Sequence, residues 1–182
     1  MTKKVLLLFL VILGSSFANK ADVIYTERQG KITFFSYTPV ENIQATNNQA
    51  FSQFKPETQE IAARILMRAF KFKKSLMYEH FNESYIESDL YPEAYLNAKV
   101  EGFDASQLSQ TRIIKGNFTL RGITKPVEIK ANITREGNGY RFEGELEVKI
   151  DDHDIKVPGV LSANIAKKIQ VAFNFQYQPD DQ

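Results

Sequence analysis

Apolar and polar residues alternate along the stretch NFTLRGITKPVEIKANI, Asn117 to Ile133. Phe118 and Leu120 stand before a Gly-Ile-Thr-Lys-Pro break, and Val127, Ile129, Ala131 and Ile133 follow it at every second position. A period of two sends one set of side chains to one sheet face and the other set to the opposite face. The stretch therefore predicts two neighbouring half-buried strands. Gly122 and Pro126 bracket the tight connection between them, with Gly122 expected at positive φ. The same period returns in Leu96, Ala98 and Val100, in Ile114 and Gly116 ahead of Phe118, and in Ile169, Val171, Phe173, Phe175 and Tyr177. It also returns in Tyr140, Phe142, Gly144, Leu146, Val148 and Ile150, after the turn signal Glu136-Gly137-Asn138-Gly139. KITFFSY, Lys31 to Tyr37, follows the turn signal Gln29-Gly30 and predicts the first long strand.

Two segments are less regular. Glu41 to Lys55 is rich in Asn and Gln, which fits a short strand pair or an irregular connection. Thr58 to Phe72 contains helix formers, yet Ile61, Ala63, Ile65 and Met67 alternate, as do Phe70 and Phe72, so both periods stay open there. Lys73 to Phe81 is different again. Leu76, Met77, His80 and Phe81 gather on one side of a helix, which predicts a short helix packed on the sheet or over an opening and ended by Tyr91-Pro92.

The residues between the apolar positions are as informative. Arg141, Glu143, Glu145, Glu147 and Lys149 alternate with one apolar set, and Gln170, Asn174 and Gln176 with another, so one sheet face is wet. Antiparallel sheets permit this, whereas parallel sheets bury both faces. A single short helix cannot cover the apolar face, so the sheet must cover itself by closing into a barrel or folding into a sandwich.

The first residues read as a separate unit. Lys3 and Lys4 precede the apolar run Val5 to Leu13, and Gly14-Ser15-Ser16-Phe17-Ala18 follows with small residues suited to a signal peptidase. The run is well short of the roughly 20 residues that cross a bilayer. Residues 1–18 are therefore expected to be a cleaved signal peptide, with one domain over residues 19–182 and a periplasmic or secreted product. The chain has no cysteine, so apolar burial must stabilise the fold without disulfides, and thiol chemistry is excluded. The net charge of +1 becomes −1 on loss of Lys3 and Lys4, and the two signs are interspersed. That balance makes no case for nucleic acid or an anionic membrane as partner.

The stretch GNFTLRGITKPVEIKANI resembles the G-x-L-T-I-R-G-V-T-K-P-V signature of the YceI-like family, secreted lipocalin-like proteins associated with polyisoprenoid binding. The likeness rests on Gly116, Thr119, Leu120, Arg121, Gly122, Thr124, Lys125, Pro126 and Val127. Upstream, His80, Phe81, Tyr85, Tyr91 and Pro92 fall on the family's H-L-x-S-x-x-F-F-x-x-x-x-Y-P segment. The resemblance implies a closed antiparallel lipocalin-like β-barrel of about eight strands with one or two short helices, and a strand in Thr58 to Phe72. Two family features are replaced: the histidines of the first strand by ITFFSYTPVENI, and the Asn-Arg-x-Asp-Phe-Gly segment by KIDDHDIKVPG.

Candidate chemistry is sparse. Asp151 to Asp154, DDHD, has metal-ligand residue types, but neighbours on a strand-to-loop segment point in different directions, so a solvated turn is the simpler reading. With His80 and His153 the only histidines, and neither in a triad setting, catalysis is not expected. Aromatic residues say more. Phe118, Phe142, Phe173 and Phe175 share the inward phase, joined by Phe34, Leu120 and Leu146. A barrel of about eight strands is either filled by side chains or holds one small ligand. Inward Gly116 and Gly144 would leave room, and the resemblance adds weight to a cavity. The expected protein is a non-enzymatic carrier of a long apolar ligand, an isoprenoid or other lipid-like chain, with these seven residues lining a tunnel, His80 and Phe81 at its mouth, and no cofactor. The alternatives are a domain with a solid core, an enzyme using His80 or Asp151 to Asp154, and a membrane-spanning barrel, which would turn its apolar residues outward.

Overall fold

The computed structural model describes residues 23–37, 42–157 and 166–180. The signal segment lies outside them. Among the described residues nine strands form: β1 Tyr25–Ser36, β2 Ile43–Lys55, β3 Glu60–Leu66, β4 Lys71–Phe72, β5 Glu93–Val100, β6 Ser109–Leu120, β7 Ile123–Glu136, β8 Gly139–Lys149 and β9 Lys168–Pro179. All pairings are antiparallel, and β1 pairs with both β9 and β2, closing β1, β2, β3, β5, β6, β7, β8 and β9 into an eight-stranded up-and-down barrel. The two-residue β4 adds a rung outside this ring, against Ala45 and Thr46 of β2. Closure leaves no long free edge, which is how a sheet with one apolar face and one short helix can be covered.

The alternation holds through the walls. In β3, Ile61, Ala63 and Ile65 are buried while Ala62, Arg64 and Leu66 are exposed, so Thr58 to Phe72 is a strand followed by a short 3₁₀ turn, Met67–Ala69. Glu143, Glu145, Glu147 and Lys149 of β8 face water. Apolar residues point in and charges point out, the reverse of a membrane-spanning barrel.

Four expectations need correction. Glu41 to Lys55 contains one 13-residue strand, β2. Its inner face carries Ala45, Asn47, Ala50 and Ser52 above Phe54, too small and polar to produce an apolar stripe. Asn47 is satisfied internally, donating to the Leu66 carbonyl at 2.8 Å and accepting from the Gln49 N–H at 2.7 Å. Gln29-Gly30 is not a turn but a bulge within β1, where the register with β2 shifts on both sides of Gly30. The Phe175 ring covers Gly30 so closely that a Cβ there would stand 2.4 Å from it. The helix also ends early. α1, Ser75–His80, runs into a π-helical turn, Phe81–Tyr85, and Glu87 at φ 53° stops it well before Pro92. A left-handed residue ends helices because the next N–H can then turn back to a free carbonyl, here Ser88 to Asn82 at 2.8 Å.

The fourth correction concerns Pro126, which lies inside β7 opposite Asn117 rather than in the connection. β7 pairs with β8 only from Lys130 onward, so on that side no ladder hydrogen bond is lost at Pro126. The connection itself is two residues, Arg121 at φ 51° and Gly122 at φ 72°, the conformation that matches the right-handed twist of a hairpin.

Candidate functional site

The strands run alternately up and down, so the barrel has two distinct ends. One end carries α1, the Arg121-Gly122 turn and the 3₁₀ turn Ile150–His153 that follows β8. At the other end the inward side chains are a closed aromatic cluster. Phe54, Phe142 and Tyr177 are each 0% exposed, with ring centroids 4.9 Å apart for Phe54–Phe142 and 5.0 Å for Phe142–Tyr177. Phe103, from the loop after β5, packs against Phe54 at 4.9 Å and Tyr140 at 5.4 Å. The Tyr177 hydroxyl is 2.6 Å from Ser52 Oγ, which donates to the Ala62 carbonyl at 2.7 Å. Burial pushes the Tyr177 pKa well up, so its hydroxyl stays neutral.

Towards the helix end the interior is not filled. A cavity of about 430 Å³ lies between the walls, within the size range of pockets for small apolar molecules. Phe34 of β1, Phe118 and Leu120 of β6, Leu146 of β8, and Phe173 and Phe175 of β9 all line it. Phe34, Leu146 and Phe173 are inward yet only partly buried, because they face this space rather than other side chains. α1 forms the mouth with Leu76, Met77 and His80, and Phe81 follows at the start of the π-turn. The Phe81 ring stacks on Phe34 at 5.4 Å and packs on Phe72 at 5.1 Å and Phe70 at 5.7 Å.

Six of the seven predicted wall residues thus come together around one cavity, and His80 and Phe81 stand at its mouth. Phe142 does not line it. The register pairs Phe142 with Ile133 and with Phe175, the last lining residue of β9, and its fully buried ring packs on Phe54 and Tyr177 instead of facing the cavity. Nor do the glycines leave open room. A Cβ on Gly144 would meet the Phe173 ring at 2.8 Å, and one on Gly116 would meet the Asn97 carbonyl at 2.3 Å, so neighbours already occupy both places. Sequence reasoning missed Phe70 and Phe72 as lining residues, although their alternation was visible. It also missed Ser36, Lys74 and Tyr85, the polar residues that join His80 around the mouth, because a lone polar residue carries no periodic signal.

The DDHD segment is not simply a solvated turn. Asp151, Asp152 and Asp154 are exposed, but His153 is 3% exposed. Its Nδ1 lies 3.1 Å from the Ile123 carbonyl oxygen and 3.3 Å from that of Leu120, so Nδ1 carries the proton and donates. The ring meets Phe118 edge-on at 5.8 Å. Burial holds its pKa below the usual histidine value, against an opposing effect of the two carbonyls. His153 therefore fastens the turn after β8 to the β6–β7 hairpin. Arg121 does the same from the hairpin, pairing with Glu87, donating to the Asp154 carbonyl and lying 5.5 Å over the Tyr91 ring. These contacts offset the cost of a non-glycine residue at positive φ.

Comparison with known proteins agrees with this architecture. The structure of a polyisoprenoid binding domain from Saccharophagus degradans implicated in plant cell wall breakdown superimposes with a TM-score of 0.72, at 12% identity, covering 87% of this chain and 99% of that one. Burkholderia cenocepacia BcnA superimposes with a TM-score of 0.69 at 15% identity, covering 81% of this chain and 95% of that one. Among curated proteins, a UPF0312 protein of Pseudomonas savastanoi pv. phaseolicola is 29% identical over 124 residues, 64% of this chain. The match spans 62% of that relative's length. The YceI-like domain family model matches residues 19–177, from the predicted signal boundary to the last inward residue of β9, and the chain belongs to the YceI-like family.

Proposed function

We propose that this protein is an exported, non-enzymatic carrier that shelters a long apolar chain, isoprenoid or similar, inside the barrel. The observation that carries the reading is the cavity: about 430 Å³ walled by Phe, Ile, Leu and Val side chains, with polar residues confined to its mouth. Each buried methylene contributes about 0.8 kcal/mol before ordering costs, so such a wall binds a chain without any polar contact along its length. Phe34, Phe118, Leu120, Leu146, Phe173 and Phe175 are the contact residues in this reading, and His80 and Phe81 the gate. The polyisoprenoid-binding neighbour supports this ligand class. The open interior favours a carrier over a domain with a filled core. Catalysis finds little support, since the His153 Nδ1–H is committed to two carbonyls.

Export is supported by the Lys3 to Ala18 pattern and by the family match starting at residue 19. Native mass spectrometry of protein purified from its own cell envelope tests both parts. The expected result is a chain beginning near Asn19 that releases a lipid on activation. A ligand-free spectrum, together with no uptake of added prenols, would refute the carrier.

A further inference from the structure

Five of the eight strands supply the floor of the cavity, through Ile32 of β1, Ile61 of β3, Ile114 of β6, Ile129 of β7 and Phe175 of β9. Tyr177 follows Phe175 at the next inward position of β9, and Phe54 and Phe142, the cross-strand partners of Ile61 and Phe175, pack with it, all three fully buried ring against ring. Ser52 pins the Tyr177 hydroxyl from within, and Phe103 covers Phe54 from the loop after β5. The barrel is therefore blind at this end. The polar lining residues Ser36, Lys74, His80 and Tyr85 all sit at the other end. Resting on the carrier reading above, we infer that the aromatic cluster makes the cavity a chain-length gauge: a single-chain amphiphile enters tail first, and Phe142 and its partners set how much tail is accepted.

Its depth follows from β9. The lining residues Ile169 to Phe175 span six residue steps. At about 3.4 Å each this is about 20 Å of strand. A strand tilt near 40° leaves about 15 Å along the barrel axis. Carbons within that depth are buried, whereas later ones stay outside and add nothing.

Calorimetric titration of the delipidated mature protein with straight-chain fatty acids, from octanoate to docosanoate, tests this. Affinity is expected to rise roughly fourfold per added methylene, then to level off once the extended tail exceeds the depth of the cavity. Ile129→Phe adds bulk at the floor and should bring the plateau to shorter chains. Phe142→Ala removes part of the floor and should move it to longer ones; if that variant does not fold, Ile129→Phe decides alone. Affinity that keeps climbing through docosanoate with no plateau, or a plateau that Ile129→Phe leaves in place, overturns the gauge while the carrier stands. Binding of no chain at any length overturns the carrier reading, and the gauge with it.

Discussion

His153 shows how far one side chain's role depends on what surrounds it. In the sequence it stands among three aspartates and looks like part of a polar turn; in the fold it is buried against Phe118 with its Nδ1–H shared by two carbonyls. Burial depresses its pKa, so between the ordinary histidine value near 6.5 and the lower folded value the unfolded chain binds a proton that the folded chain refuses. The His153 contribution to stability is therefore complete above about pH 6.5, declines as pH falls below it, and stops declining once the folded protein protonates too. Urea midpoints from about pH 8 to about pH 5 should fall more steeply for the parent protein than for His153→Asn. Parallel curves would mean that His153 is not buried neutral.

The β6–β7 hairpin carries the most specific sequence signal in the chain and organises the cavity end of the barrel. Its turn residues Arg121 and Gly122 both have positive φ, and Arg121 then reaches Glu87 beyond the helix and Asp154 beyond the 3₁₀ turn. A single hairpin thus ties together the elements that frame the mouth. Gly122→Val places a β-branched residue at φ 72° and brings a Cβ to 3.1 Å from the Tyr91 ring, which Arg121 overlies. A loss of about 1–3 kcal/mol is expected from the backbone alone, read as a lower urea midpoint with an unchanged slope. An unchanged midpoint would refute the turn conformation.

For the whole barrel, filling the cavity and stabilising the fold are coupled. A ligand that binds only the folded state stabilises it by about 2.7 kcal/mol at a hundred times its Kd. Delipidated protein should therefore melt at a lower temperature than protein reloaded with farnesol or a long fatty acid. The difference should shrink in Phe173→Ala, which removes wall. Phe142→Ala is expected to cost the ligand-free protein about 3–5 kcal/mol, as a packed core site does, and Phe173→Ala clearly less, because one side of its ring already faces empty space. Equal losses in the two variants would place both residues in one packed core.

The alternating stretches determined most of the fold. A period of two with charges at the intervening positions specifies an antiparallel sheet with one wet face, and a single short helix leaves closure as a way to bury the other. Gly122, by composition alone, specified a hairpin turn. β2 escaped because Ala45, Asn47, Ala50 and Ser52 face inward, so its strand identity comes from pairing with β1 and β3 and not from its own pattern. Only the tertiary structure decided which inward residues face a cavity and which face each other. Phe142 and Phe173 have the same phase, residue type and strand environment, but depth along the barrel is set by register between strands distant in sequence. That register puts Phe142 among Phe54 and Tyr177, and Phe173 beside open space. Alternation reports the face of a sheet; only pairing across the closed barrel reports the height on that face.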